Sequence, residues 1–376
     1  MILTDKDLHI VTHDVPWPAD YGGVIDLFYK LKALHAQGVN IHLHCFTQGR
    51  TPQHELEKYC SSVHYYQRKN NISRFSFKLP YIVNSRANDE LLANLQKDDH
   101  PVLLEGIHCT YHLFKQQLNN RKVIVRLHNA EFEYYRQLAK HEPGLFKKIY
   151  FLHESSLLKK YEKAIANKAT FLAVSKQDVA MYQQVFAATH VHYLPVFLSY
   201  TLAVGKEGKG FYCLYHGNLA INENEKAAIW LLQHVFSKLA IPFVIAGKDP
   251  SEKLQRLAHN HQHTCLVANP SDREMQDMIS KAHVHVLPSM NNTGIKLKLI
   301  NAIFNGRHCL VNKAAVEGSG LETCCHMADD AGSFQQKIEE LYGQAFTEQE
   351  IQQRQGLLQT TYNNEANARE LMTFLW

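Results

Sequence analysis

Lys296 and Lys298 set two cations one residue apart in Asn292-Thr293-Gly294-Ile295-Lys296-Leu297-Lys298-Leu299-Ile300-Asn301-Ala302, a stretch that reads as a turn running into a helix. The apolar run His285-Val286-Leu287-Pro288 ahead of it reads as a buried strand. Asn292, Thr293 and Gly294 are residue types that cap a helix while leaving its first backbone N–H groups free for an anion. Cations in the first turn and a half oppose the helix dipole, which favours acidic side chains there. Their placement fits a negatively charged ligand at that end. A solvated lysine face on an amphipathic helix accounts for the same pattern.

Ligands of open α/β sheets sit beyond the carboxyl ends of the strands, so the residues following each apolar run are the next candidates. They are Pro16 to Gly23, Glu105-Gly106 and Arg126 to Glu131 in the first half, then His216-Gly217-Asn218, Gly247-Lys248, Ala268-Asn269-Pro270 and Ser289 to Gly294. Glycines and small polar groups gather where phosphates and hydroxyls need backbone access. His128, Asn129 and Glu131 offer an imidazole, an amide and a carboxylate within four positions, a set able to orient sugar hydroxyls. The same residues also read as a helix start, with Asn129 as cap, Glu131 and Glu133 on the dipole and the histidine packed beneath. Gly22-Gly23 is a tight turn before a helix but lacks GxGxxG spacing and a following ribose-binding acid, which argues against a nicotinamide cofactor.

The 24 histidines include His42/His44 and His283/His285 at strand spacing and a loop run at His259, His261 and His263, without HExxH or Cys/His zinc spacing. Neither a metal nor any other cofactor is expected, and no P-loop or GxSxG elbow occurs.

The chain has 376 residues, enough for two domains with full cores. Its 40 basic and 36 acidic residues leave a net charge of only +4, which argues against a nucleic-acid partner and remains compatible with an anionic small ligand or a peripheral membrane contact. The eight cysteines show no CxxC pair, consistent with reduced cytosolic thiols. Met1 to Asp7 carries acidic residues into a first strand, and no run of 18 apolar residues follows, so secretion and membrane spanning are not expected. A cytoplasmic location, including the inner face of the membrane, is the expectation.

Short apolar runs alternate with amphipathic helical patterns from end to end, which predicts a parallel α/β fold. Strands are expected from Leu8, Val39, Val63, Val102, Lys122, Phe171 and Val191. A stretch from Phe197 to Gly210, interrupted by Gly205, Gly208 and Gly210, reads as a linker. The alternation then resumes with strands from Phe211, Phe243, Cys265, Val284 and Cys309, and with helices at Asn224 to Leu239, Ser251 to Ala258, Asp272 to Lys281 and Ile295 to Phe304. The expected domains are 1–197 and 198–360, with a terminal helix in 361–376 able to pack on either half and assigned to the first.

Taken in order, Pro16 to Gly23, Arg126 to Glu131, Ala173-Val174-Ser175, His216-Gly217-Asn218-Leu219 and Gly294 to Asn301 with Gly306 resemble family-4 glycosyltransferases of the GT-B fold. The resemblance runs nearly the full length and implies two Rossmann-like doubly wound domains facing across a cleft. It assigns Gly22 and Gly23 to the loop near donor diphosphate and acceptor, His128 to the transferred sugar, and Gly217 and Asn218 to the turn beside the diphosphate. Lys296 and Lys298 become the cations for the leaving group, with Thr293 and Gly294 in the donor site. The family commonly carries two glutamates eight positions apart, where this chain has Thr293 and Asn301. Asn301 retains hydrogen bonds for a ribose. The basic residue often found after the Gly217 turn is replaced by Asn222-Glu223-Asn224-Glu225.

The implied reaction is metal-independent, retaining transfer of a hexosyl group from a nucleotide-diphosphate sugar to a saccharide or lipid-linked acceptor, as in polysaccharide biosynthesis. A GT-B epimerase and a nucleotide-sugar-binding protein without transfer activity are the alternatives.

Overall fold

A computed structural model of the chain describes residues 6–19, 22–70 and 76–376. Asp20 and Tyr21 of the Pro16–Gly23 turn, and residues 1–5 of the expected N-terminal lead-in, lie outside the described residues. The chain divides into two compact units, one formed by 1–199 with 361–376 and the other by 200–360.

The first unit is built on a seven-stranded parallel sheet of β1 (Lys6–Thr12), β2 (Val39–Thr47), β3 (Ser62–Gln67), β4 (Val102–Glu105), β5 (Val123–Leu127), β6 (Thr170–Ala173) and β7 (Val191–Tyr193), in the spatial order β3-β2-β1-β4-β5-β6-β7. The chain winds outward from β1 in one direction, returns to its other side at β4, and winds the opposite way. Neighbouring residues of one strand serve opposite faces: Leu103 and Ile124 join a core with Leu8, Ile10 and Leu31, whereas Leu104 and Val125 join one with Leu158, Phe171 and Tyr182. Both faces are apolar because helices cover both, as a parallel sheet requires. The terminal helix Asn364–Leu375 places Ala368, Leu371 and Leu375 in the first of these cores. Its sequence left the partner open; the apolar face of the helix Gly22–Ala36 supplies it.

The second unit carries a six-stranded parallel sheet of β8 (Cys213–Asn218), β9 (Phe243–Lys248), β10 (Thr264–Ala268), β11 (Val284–Val286), β12 (His308–Val311) and β13 (His326–Met327), ordered β10-β9-β8-β11-β12-β13. The α/β, doubly wound reading therefore holds for both sheets. The winding reverses between β8 and β11, and at such a switch point the two connections diverge and leave a crevice at the strands' carboxyl ends. Gly247 shows how tightly that end is built, since a Cβ there would lie 1.8 Å from the Gly217 carbonyl oxygen.

Several local expectations are corrected. The helix predicted over Asn224–Leu239 is α-helical over Asn222–Trp230, then widens to a π turn at Leu231–Val235 and tightens to a 3-10 turn at Phe236–Lys238. That change of pitch accompanies a face-to-face stack of Phe236 on Phe243 of β9 at 3.8 Å. The two-residue β13 is too short to leave a periodic signature. The helices Ala331–Gly343 and Glu348–Thr360 were not assigned from sequence. Among the described residues, no helix is long and apolar enough to cross a membrane.

Candidate functional site

In the second unit, the carboxyl end of β8 delivers His216, Gly217 and Asn218, and the segment after β11 delivers Ser289 to Lys296. The helix beneath begins later than expected, as Leu297–Asn305, with Lys296 as its cap residue and no side chain capping its N-terminus. Asn292 to Gly294 therefore form a turn ahead of the helix. Gly294 has φ +61, a left-handed conformation that a Cβ disfavours. The reason for the shift is that the turn's polar groups bond one another: Asn291 Oδ1 accepts from the Thr293 N–H and from its hydroxyl, both at 2.8 Å. Lys296 Nζ donates to the Thr293 carbonyl at 2.7 Å.

Lys298 lies inside this cluster, donating to Asn224 Oδ1 at 2.9 Å and to the Tyr215 hydroxyl at 3.2 Å, with its ammonium 4.8 Å from the Tyr215 ring centre. Asn224 Nδ2 in turn donates to the Asn218 carbonyl at 2.9 Å. Burial lowers the Lys298 amine to about 8, opposed by the charge of Glu223 and reinforced by that of Lys296. Burial together with Lys298 lowers His216 to about 3, leaving it neutral. Gly217, Asn218, Thr293, Gly294, Lys296 and Lys298 are thus gathered at one switch point. Asn301 lies a turn further along the helix, where its Oδ1 accepts from Asn305 Nδ2 at 2.7 Å.

Sequence reading missed the roles of Glu223 and Asn224, and it placed Ser289 after a strand without a partner. Ser289 Oγ donates to Glu223 Oε1 at 2.9 Å, tying the start of the helix Asn222–Trp230 to the segment after β11. The stretch Asn222–Glu225, noted only for its lack of a basic residue, supplies both an acid beside Lys298 and that lysine's amide partner. Its place directly after β8 was the available signal.

In the first unit, Gly22 and Gly23 open the helix Gly22–Ala36, which carries Asp26 and Lys30 inward. Lys30 Nζ bridges Asp26 Oδ2 at 3.0 Å and Glu105 Oε1 at 2.7 Å, all three side chains at most 2% exposed. Arg126 on β5 donates to Asp26 through Nε and Nη2, at 3.2 and 3.0 Å, and to the carbonyls of Leu194 and Pro195. His128, one residue past β5, sets Nε2 3.3 Å from Asp26 Oδ2 and 3.4 Å from Glu105 Oε2. With 16% of its side chain exposed, it is the member of this charge cluster that reaches solvent.

Burial favours neutral His128, but its hydrogen bonds and ion pairs with Asp26 and Glu105 prevail and raise its pKa above the usual value. Burial also works against Asp26, which the charges of Arg126 and Lys30 hold well below the usual carboxylate range. His13, stacked on His108 at 5.2 Å and edge-on to His128 at 5.8 Å, is lowered to about 3 by burial and by His128. The cluster thus sets one histidine whose charged form is favoured beside two, His13 and His108, that burial keeps neutral.

Asn129 does not cap the next helix. The cap residue of Glu131–His141 is Ala130, and its terminal N–H groups are taken by distant carboxylates: Ala130 N–H by Asp178 at 3.1 Å and Phe132 N–H by Glu162 at 2.7 Å. Glu131 is itself buried, and burial lifts its carboxyl to about 7.

Two switch-point sites on two doubly wound sheets define the class to which such chains belong, the GT-B fold. Over 98% of both chains it is similar to sucrose-phosphate synthase from Thermosynechococcus elongatus, with a TM-score of 0.72 and 14% identity. Anabaena HepE, whose structure holds UDP and glucose, matches 98% of this chain and 99% of its own, with a TM-score of 0.68 and 10% identity. WaaG, a glycosyltransferase involved in lipopolysaccharide biosynthesis, matches 98% and 99% with a TM-score of 0.65 and 11% identity. An uncharacterized 44.6 kDa protein in the cps region of Klebsiella pneumoniae is 27% identical over 332 residues, 83% of this chain and 84% of its own. Residues 210–344 match the family model for glycosyl transferases group 1. That match lies within the second unit, and the chain as a whole has the fold of GT-B glycosyltransferases.

Proposed function

We propose that the chain transfers a hexosyl group from a nucleotide-diphosphate sugar to a saccharide or lipid-linked acceptor, with retention and with protein cations in place of a divalent metal at the diphosphate. The observation that carries this reading is the half-buried Lys298 beside Gly217 at the switch point of the second sheet, under an uncapped helix N-terminus. An ammonium largely withdrawn from water is costly unless paired, and its partners here are the neutral Asn224 and Tyr215 with Glu223 nearby. A diphosphate supplies the missing negative charge. Lys298, Lys296 and the helix end then stabilise charge developing on the leaving group, Gly217, Asn218, Thr293 and Gly294 line the donor, and Asn301 holds the ribose.

In the first unit, His128 directs a positive charge at the donor sugar, and Gly22 and Gly23 let backbone approach the substrates. An anionic membrane surface carrying the acceptor fits the outer face of the helix Leu145–Ile165. Phe146 is 89% exposed there, beside exposed Leu145, Ile149 and Leu152 and the exposed cations Lys147 and Lys148. Apolar anchors flanked by lysines are the pattern of interfacial helices.

A thermal-shift screen of UDP-, GDP-, ADP- and CMP-sugars, followed by product analysis with the stabilising donor, tests the reaction. A donor that binds without being consumed in the presence of saccharide and lipid-linked acceptors counts against transfer. An inverted anomeric configuration in the product, read by NMR, counts against retention.

A further inference from the structure

At the opposite, amino ends of the strands in the second unit, His308 opens β12 and His326 opens β13, with their rings 5.5 Å apart. The helix Glu348–Thr360 brings Glu350 alongside, its Oε1 3.5 Å from His308 Nδ1. The His308 side chain is only 3% exposed, and neither ring nitrogen makes a hydrogen bond. Buried polar atoms in this condition carry a desolvation penalty and call for a partner.

The neighbouring His283 provides an internal contrast. Its ring is 5.2 Å from that of His308 and equally enclosed, yet Gly210 N–H donates to its Nδ1 and its Nε2 donates to the carbonyls of Leu341 and Gln344. Two histidines in one environment are thus built differently, one satisfied by backbone and one left open. The Glu350 carboxylate is also divided between tasks. Oε2 accepts from the N–H and the hydroxyl of Thr347, both at 2.9 Å, which fixes the group and leaves Oε1 turned toward His308. Ligand carboxylates held from behind in this way are typical of metal centres.

We propose that His308, His326 and Glu350 form a binding site for a first-row divalent metal ion such as Zn(II), with water completing the coordination. One ligand atom from each residue already lies within 4.8 Å of the other two. Metal–ligand distances near 2.0–2.2 Å imply separations of about 3.4 Å in a tetrahedral site, and torsions of His326 and Glu350, both partly exposed, can close that difference. Two imidazoles and one carboxylate suit zinc and similar ions better than calcium or magnesium. The site clamps β12, β13 and the helix Glu348–Thr360 together at the end of the sheet opposite Lys298, so its role is structural.

The test begins with the chelator-stripped full chain, titrated with Zn(II) by calorimetry and with Co(II) by visible absorption. One equivalent per chain is expected, with the intense d–d bands of a four-coordinate Co(II) centre and a raised melting temperature. Replacing a ligand, as in His326→Ala or Glu350→Gln, should weaken binding by more than the 10–100-fold typical of outer-shell changes. A His259→Ala/His261→Ala/His263→Ala variant removes the histidine-rich loop. Absence of stoichiometric binding, binding indifferent to His326→Ala and Glu350→Gln, or binding abolished in the loop variant would each overturn the assignment.

Discussion

The Nε2 of His128 lies 3.4 Å from Glu105 Oε2, the buried carboxylate oxygen that is not bonded to Lys30. Glu105 gives its other oxygen to Lys30, so a protonated His128 is what balances the second. His128 is also the exposed edge of the cluster, so the charge that steadies the fold is the one the cluster presents to solvent.

His128→Gln is expected to lower turnover on the order of 100-fold, as removal of one preorganised electrostatic contact does, while leaving affinity for the free nucleoside diphosphate nearly unchanged. Turnover, nucleoside-diphosphate titration and melting temperature on the one variant separate this from a packing role. A destabilised protein with normal activity per folded molecule would refute the assignment.

The same pair predicts a pH dependence of stability. His128 has a folded pKa above its unfolded value, so its contribution is fully present below the unfolded pKa of about 6.5 and is lost as pH rises through the folded one. Melting curves across that window should show the wild type losing stability that His128→Gln never had. Parallel curves for the two proteins would contradict the charged state assigned here.

Lys30→Met removes the cation shared by Asp26 and Glu105 and leaves two buried carboxylates to Arg126 and His128. Breaking a buried ion pair from one side costs about 3–5 kcal/mol, to be read as a lowered urea midpoint. A midpoint within error of the wild type would mean that the bridge contributes no net stability.

Lys298→Met should weaken donor binding by about 10- to 150-fold, equivalent to the roughly 1.5–3 kcal/mol of one charge-assisted contact. Burial holds the free amine near 8, below its unfolded value, so stability rises as pH climbs from there toward the ordinary lysine range. A bound diphosphate favours the ammonium, so affinity should fall above about pH 8 with proton uptake on binding. Calorimetry in two buffers of different ionisation enthalpy detects that proton. Equal heats in both, or unchanged affinity in the variant, would remove Lys298 from the diphosphate.

Transfer should persist in excess EDTA when assayed well below the melting temperature, and added magnesium or manganese should not raise it. Collapse with chelator and recovery with either ion would point to a metal at the diphosphate. Chelator that lowers the melting temperature but not the initial rate would be the signature of the His308 site instead.

Alternation of apolar runs with amphipathic segments was sufficient to determine two parallel α/β sheets, because each strand buried on both faces must be written in continuous apolar residues. The positions after those strands were legible for the same reason: polar residues and glycines just past an apolar run have to lie at a carboxyl end, and Gly217 and His128 do lie there. What sequence could not show was which distant side chains meet there. Asp26 and Arg126 are 100 positions apart, and Ser289 and Glu223 are 66 apart. Their encounter depends on the order in which strands pair, which no local periodicity encodes. The start of the helix at Leu297 rather than at Ile295 was decided by the bonds within its preceding turn, and the capping of Ala130 and Phe132 by Asp178 and Glu162 was decided by tertiary contacts that satisfied backbone groups local residues left open. His308 and His326 carry no recognisable metal spacing because their register is set by the pairing of β12 with β13 and by a helix that arrives more than twenty residues later.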